Sequence, residues 1–368
     1  MKTLRDEKHY ERKTYEIIDT RDDKHMKTKH FVIPIFVPHK GCPFDCIYCN
    51  QKKISGQVKE ITEDIMRSTI ETHLASIGDG SFVEIGFYGG SFTGIDKDQQ
   101  LKLLKIANEY IDKGKVQSIR LSTRPDYINS DILNYLKEYR VETIELGVQS
   151  LSEDVLKKSC RGHSVNDVIT SSHHIKEYGF KLGIQTMIGL PGDSKPKDIF
   201  TAKKVVELKP DIVRIYPTLV IKDTMLERMY YNKEYIPLTI DDAVDICADL
   251  IQIYEENGII VIRVGLQPTE NINENSDVVA GPFHPALRQL VESRIFLKRI
   301  NDSIIKNKLE KEKRIIINTG VRYVSNVIGQ KKANVRYLKE KYAFEEIKVR
   351  GSENLGKEIL VEKMHTVL

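Results

Sequence analysis

Three of the chain's five cysteines, Cys42, Cys46 and Cys49, fall within eight positions of the run "VPHKGCPFDCIYCNQKKISG". A structural zinc site takes four ligands, usually as paired knuckles. No second CxxC occurs, and His39 would be an awkward fourth ligand just ahead of the loop. Three clustered thiolates suit instead an iron–sulfur cube with one iron left open to another ligand. Chance clustering of small buried thiols is the alternative, and the spacing weighs against it. Cys160 and Cys247 stand alone and read as ordinary thiols.

Such a loop needs a rigid support. Strand-like runs occur at "HFVIPIFV", "SFVEIGFYG", "SIRLSTR", "TIELGVQS", "KLGIQTMIGL", "DIVRIYPTLVI" and "IIVIRVGL". Between them lie helical patterns such as "ITEDIMRSTIETHLASIG" and "DKDQQLKLLKIANEYIDKG", the second with Leu101, Leu103, Leu104, Ile106 and Ala107 near one face. This alternation predicts an α/β fold with a parallel sheet, either open or a partial or full (β/α) barrel. Chemistry then collects at the C-terminal ends of the strands. The cysteine loop, "YGGSFTG", "STRPD", "GVQS", "GLPGDS" and "YPTLV" follow successive strands there. Loops of this kind are rich in Gly and Pro in any such fold, so the pattern locates a site without proving one.

Near residue 280 the pattern changes. "AGPFHPALRQLVESRIFLKRINDSIIKNKLEKEKR" predicts a long helix opened by Pro285 near its first turn. "IIINTG", "VSNVIGQKKANVRYLKEKYAF", "EEIKVRG" and "EILVEKM" then form a small Lys-rich α+β tail. The expected organisation is a charged, partly disordered extension at 1–28, a barrel at 29–280 and a small basic α+β domain at 281–368.

A net charge of +4 over 368 residues permits a nucleic-acid partner without demanding one. No run approaches the roughly 20 apolar residues of a membrane span, and the charged N-terminus is no secretory signal. The expectation is a cytoplasmic protein without a membrane partner, its thiols reduced.

"GCPFDCIYCNQ", with Tyr48 before the third cysteine, resembles the cluster loop of the radical S-adenosylmethionine superfamily. The resemblance implies a 4Fe–4S cluster held by Cys42, Cys46 and Cys49. Its open iron would bind S-adenosylmethionine and reduce it to methionine and a 5′-deoxyadenosyl radical that abstracts hydrogen. It also implies that Gly89, Gly90 and Ser91 hold the cofactor's amino group, Ser91 standing where the family usually carries an acid. Glycine lets a ligand approach the backbone closely, although a Gly-Gly at a strand end is also a common turn. Glu145 and Gln149 lie on one face of their strand, and the resemblance assigns Gln149 and its neighbours to the cofactor. Arg161 of "CRGHS" would take the methionine carboxylate. Gly189 and Leu190 would pack on the adenine, and Tyr216 would line the substrate or radical path.

Two branches share these motifs. One is the oxygen-independent coproporphyrinogen oxidase-like group, with the same Cx3Cx2C spacing. The other is the Elongator catalytic subunit group, which modifies the wobble uridine of tRNA. The Elongator resemblance covers more, with "ELGVQSLSEDVLKKSCRGHS", "YGFKLGIQTMIGLPG" and "VRIYPTLVIKDTMLERMYYNKEYIPLT". That group has a wider first cysteine gap and an acetyltransferase domain, for which the roughly 90 residues after the barrel are too few. The tail's "VIGQKKANVRYLKEKYAFEEIKV" resembles a KH-type RNA-binding pattern, with Lys331 and Lys332 in the phosphate-clamping loop; a solvated basic helix start is the other reading. The expectation is a radical enzyme acting on RNA, a tRNA base foremost, with an electron donor such as flavodoxin or ferredoxin. The alternatives are a radical enzyme on a small molecule or porphyrin, and a non-catalytic haem or iron–sulfur carrier.

Overall fold

The computed structural model describes residues 15–17, 29–37, 46–50, 61–266, 273 and 277–364. The first part alternates strand and helix: β1 (Tyr15–Ile17), β2 (His30–Val37), α1 (Glu63–Leu74), β3 (Phe82–Gly89), α2 (Lys97–Asp112), β4 (Ser118–Thr123), α3 (Ser130–Glu138) and β5 (Val141–Gln149). It continues through α4 (Glu153–Lys158), α5 (Val165–Glu177), β6 (Lys181–Ile188), α6 (Lys195–Leu208), β7 (Ile212–Pro217), β8 (Val220–Ile221), α7 (Met225–Tyr231), α8 (Ile240–Glu256) and β9 (Ile260–Val264).

Strands β2, β3, β4, β5, β6, β7 and β9 pair in that order, every pair parallel, and β1 adds an antiparallel edge to β2. Among the described residues β2 and β9 do not pair, so the curled sheet is a partial (β/α) barrel. The sequence reading placed no strand in the N-terminal extension, yet Tyr15–Ile17 forms one; the rest of that extension lies outside the described residues. "DIVRIYPTLVI" breaks into β7 and β8, and β8 leaves the barrel to pair with β10 (Val278–Ala280).

Local chemistry explains the helices. Asp96 caps α2 by accepting from the amides of Asp98 and Gln99, and the helix buries Leu103, Leu104, Ile106, Ala107 and Tyr110 against the sheet. Leu101 is only partly buried. Ser164 and Asp167 form a reciprocal capping box on α5. β5 is buried along most of its length, as a parallel strand covered on both faces must be.

The second part comprises α9 (Leu287–Lys306), β11 (Arg314–Gly320), α10 (Val324–Ile328), α11 (Ala333–Tyr342), β12 (Glu346–Ser352) and β13 (Leu360–Lys363). β11 is central, parallel to β12 and antiparallel to β13. The helix expected to fill residues 280–314 is shorter. It starts after Pro285 and ends at Lys306, where Lys308 turns left-handed (φ 55°) and the amides of Lys308 and Leu309 close on the carbonyls of Ile305 and Ile304. Leu287, Val291 and Ile295 of α9 belong to the barrel core, while Phe296, Ile300 and Ile304 belong to a second core with Ile315, Ile317, Val327 and Leu338. Ion pairs Arg294–Asp241 (2.5 Å) and Lys298–Asp249 (2.6 Å) fasten α9 along α8. No helix among the described residues is long and apolar enough to cross a membrane.

Candidate cofactor-binding site

Cys46 and Cys49 lie on a short segment pinned from three sides. The Ile47 amide donates to the Ser159 carbonyl (3.3 Å), the Leu226 amide donates to the Ile47 carbonyl (2.8 Å), and Arg161 Nη1 points at Cys46 Sγ (3.5 Å). Both cysteines line an open cleft at the C-terminal ends of β3 to β6. Gly89, Gly90 and Ser91 form one wall, Ser122, Thr123 and Arg124 the next, and Gly147, Gln149, Arg161, Gln185 and Tyr48 complete it. Of the residues expected from sequence, the cleft therefore brings together Cys46, Cys49, Gly89, Gly90, Ser91, Gln149 and Arg161. Cys42 lies outside the described residues.

The wall is held rigidly. Ser91 Oγ bonds Thr123 Oγ1 (2.8 Å) and accepts from the Arg124 amide (3.2 Å). Arg124 is buried and bonds Asp126 through both Nε and Nη2 at 2.9 Å. Gly89 has φ 96°, which glycine adopts without strain. β5 bulges between Gly147 and Gln149, leaving Gln149 at φ 69°. His163 Nε2 donates to the carbonyl of Val148 within that bulge (3.2 Å). Burial, then the Arg161 and Arg124 charges, lowers this imidazole to about 3, so it is neutral at physiological pH. Gly147 needs its lack of a side chain: a Cβ would come 2.8 Å from Arg161 Nη2, which donates to the Gly147 carbonyl at 2.6 Å. Arg124, Gly147, Gln185 and His163 were not singled out from sequence. A glycine inside a strand run was the one signal available, since it marks a close approach.

Glu145 does not line the cleft; it lies beneath it. Gln185 donates to Glu145 (3.1 Å), Arg214 grips both its carboxylate oxygens (2.6 and 3.0 Å), and Arg120 approaches at 3.4 Å. Arg120 also pairs with Glu84, which accepts from Ser118 Oγ (2.6 Å) and meets His30 Nε2 (2.6 Å). Burial alone would raise both carboxyls. The Arg214 and Arg120 charges hold Glu145 at about 2, and the His30, Arg120 and Ser118 contacts hold Glu84 at about 2. The floor of the site is thus a buried ionic network, not an apolar plug.

Five other expected residues lie away from the cleft lining. Leu190 is buried, and the Gly189 carbonyl accepts from Tyr235 (2.6 Å) with Leu238 packed against the glycine. Tyr216 is half-buried on β7, two residues beyond Arg214. Lys331 and Lys332 are exposed in the tail, between α10 and α11.

The loop after Leu190 hides an acid pair. Asp193 and Asp198 lie side by side, and among the described residues neither carboxyl's buried Oδ2 meets a donor from another residue. Burial first and the Asp193 charge second push Asp198 strongly upward. Its stabilising contribution is full below the ordinary carboxyl range and is lost as pH rises toward the raised value. Asp198→Asn is therefore expected to raise the melting temperature at pH 8, with the gain shrinking toward pH 5 in calorimetry; a loss at pH 8 would refute this.

The Radical SAM superfamily model matches residues 36–200, and the Radical_SAM C-terminal domain model matches 210–296. An uncharacterized protein of Methanocaldococcus jannaschii is 31% identical over 241 residues, 62% of this chain and 73% of that protein. The chain belongs to the radical SAM superfamily, and within it has Elongator (Elp3)-like homology. A tRNA uridine(34) acetyltransferase of Methanocaldococcus infernus is 33% identical over 154 residues, 40% of this chain but 29% of that enzyme, so the chain spans under a third of it. The solved Methanocaldococcus infernus Elp3 with an N-terminal deletion shares the fold at 23% identity and TM-score 0.57, covering 77% of this chain and 64% of that one.

Membership implies S-adenosylmethionine and an iron–sulfur cluster. The residues present fit them. Two thiols share the cleft with a glycine wall, Arg161 and a buried Gln149 Oε1 that has no hydrogen-bond partner among the described residues. Among the described residues no three metal-ligating side chains converge; Cys42, first in the spacing, lies outside them.

Proposed function

We propose that this protein is a radical S-adenosylmethionine enzyme whose 4Fe–4S cluster is held by Cys42, Cys46 and Cys49, and that it modifies a base in RNA, with tRNA the favoured substrate. The observation that carries the reading is the meeting, in one cleft, of Cys46 and Cys49 with Gln149 Oε1, a buried acceptor that meets no donor among the described residues. When bound, the cluster and S-adenosylmethionine would supply one-electron cleavage of a carbon–sulfur bond and a 5′-deoxyadenosyl radical.

This chain's residues would do the rest. Gln149 Oε1 accepts from an amino group, and the backbone at Gly89 and Gly90 lies open to the same group. Arg161 presents a cation for a carboxylate beside the thiols. The ionic floor holds Gln185 through Glu145 and so fixes the cleft's base. Tyr216, one pleat above Arg214, lies on the way from the floor toward the strand ends. Gly189 and Leu190 support the adenine side through the loop they anchor. RNA is favoured by the uridine-modifying relatives and by the basic tail carrying Lys331 and Lys332. A flavodoxin- or ferredoxin-type donor would supply the electron.

The test is anaerobic reconstitution followed by assay for 5′-deoxyadenosine and methionine, with mass spectrometry of tRNA nucleosides from cells with and without the protein. Reductive cleavage together with one altered nucleoside is expected. No cleavage by fully reconstituted protein would refute the enzyme reading; cleavage with an unchanged nucleoside profile would refute the tRNA substrate.

A further inference from the structure

The charge of the chain is divided unevenly. Residues 281–368 carry 19 Lys and Arg against 10 Asp and Glu, a net +9 in a chain whose total is +4. Everything before residue 281 is therefore net acidic. A basic segment on an otherwise acidic chain is the electrostatic footprint of a polyanion partner. Residues 297–368 also lie beyond both matched family models.

Many cations of this domain are neutralised internally. Arg314 pairs with Glu346, Lys313 with Glu345, Lys363 with Glu312, and Lys357 reaches Glu255 of the barrel. Arg322, Lys331, Lys332, Arg336 and Arg350 are different: all are exposed, and none forms an ion pair among the described residues. Glu353 is the carboxylate that follows closely on Arg350 in the chain.

The fold gathers these five at one edge. β11 and β12 are parallel, so Arg322 just past β11 and Arg350 near the end of β12 lie at the same end of the sheet. Packing joins them, since a Cβ on Gly351 would come 3.1 Å from Val321. The helix connecting these strands must start at that end. Lys331 and Lys332 precede α11, and Arg336 lies one turn inside it.

That edge lies toward the end of the barrel at which the cleft opens. α11 runs alongside α9 in the same direction: Asn334 at its start donates to the Ser293 carbonyl (3.0 Å), and Tyr342 at its end donates to Asn301 (2.9 Å). α9 in turn begins at the C-terminal end of β9, where a Cβ on Gly265 would come 2.9 Å from Leu287. Ser293 is six residues on, a rise of about 9 Å along the helix. The cleft opens at the same end of the barrel strands.

From this geometry we infer that Arg322, Lys331, Lys332, Arg336 and Arg350 form a docking edge for the phosphate backbone of the RNA whose base enters the cleft. This rests on the RNA reading above and adds where the body of the RNA lies. Cations without an ion-pair partner among the described residues, at the end of the barrel where the cleft opens, suit a polyphosphate chain, because each phosphate contact releases a counterion and gains affinity.

The experiment measures binding of a transcribed tRNA by fluorescence anisotropy across a salt series. Three forms of the full chain are compared: the native sequence, an edge variant carrying Lys331→Gln, Lys332→Gln and Arg336→Gln, and a control carrying Lys306→Gln, Lys308→Gln and Lys311→Gln. The control lysines are also exposed and unpaired among the described residues, but lie at the opposite end of the domain. The edge variant is expected to bind at least about tenfold more weakly near 0.1 M salt, with a log–log salt slope shallower by about 2, while the control keeps the native slope. Native affinity in the edge variant, or equal losses in both variants, would overturn the docking edge and leave the RNA reading standing. A native protein that binds no tRNA would overturn both. Tighter binding of phosphatidylserine vesicles than of tRNA would overturn the edge in favour of a membrane surface.

Discussion

Arg214→Leu is expected to lower the unfolding free energy by about 3–5 kcal/mol, because it leaves a buried carboxylate with most of its compensation removed. Glu145 is 1% exposed and takes both short charge-assisted bonds from Arg214, while Arg120 stands back at 3.4 Å. Restoring neutrality should recover much of the loss, so Arg214→Leu combined with Glu145→Gln is expected to be more stable than Arg214→Leu alone. The acid limb gives an independent check. Glu84 and Glu145 are both held at about 2, below their unfolded values. Their contribution is present above the ordinary carboxyl range and is lost as pH falls toward 2. In the Arg214→Leu variant the Glu145 share of that loss should begin at higher pH. Urea titrations at several pH values measure both effects. A destabilisation under about 1 kcal/mol would mean that the network contributes little beyond solvation.

Cys46→Ser is expected to leave reconstituted protein with background iron and sulfide and with no cleavage of S-adenosylmethionine. Cys46 Sγ lies 3.5 Å from Arg161 Nη1 and the residue is almost fully buried, so serine fits its place without collapsing the segment that Ser159 and Leu226 pin. The fold should therefore survive, as circular dichroism and an unchanged urea midpoint would show. Cys160→Ser is the matched control, since Cys160 is exposed and does not line the cleft. Iron retained at the native level by Cys46→Ser would remove Cys46 from the proposed ligand set.

The sequence reading reached the parts of this molecule that are local. Seven β-rich runs form the seven parallel barrel strands because each is short, rich in β-branched and other apolar residues, and bounded by polar turns. Asp96 and Ser164 mark helix starts with their own side chains. Cys46 and Cys49 share a cleft because they share a loop. Non-local relations were hidden. Arg120, Glu145, Arg214 and Tyr88 meet across separations of 25 to 126 residues, and only the strand order reveals that they are neighbours. The family resemblance groups Glu145, on the same strand face, with Gln149 at the cofactor. The bulge lifts Gln149 into the cleft and leaves Glu145 in the floor, and no residue type signals that bulge. The overlong helix at 280–314 shows the same limit, since composition stays helix-compatible past Lys306 while the left-handed turn at Lys308 ends it.

The helix α9 bears on how such proteins can be rearranged. The C-terminal domain model ends at residue 296, inside this helix, at Phe296, the first residue of the second core, which directly follows the last barrel-core residue, Ile295. The two modules are therefore spliced through continuous secondary structure and not through a linker. Exchanging one tail for another would demand rotational phase along the helix, because inserting or deleting one residue turns everything beyond it by about 100°. Tail replacement in this architecture is then quantised: grafts should succeed at spacings that preserve the helical phase and fail between them.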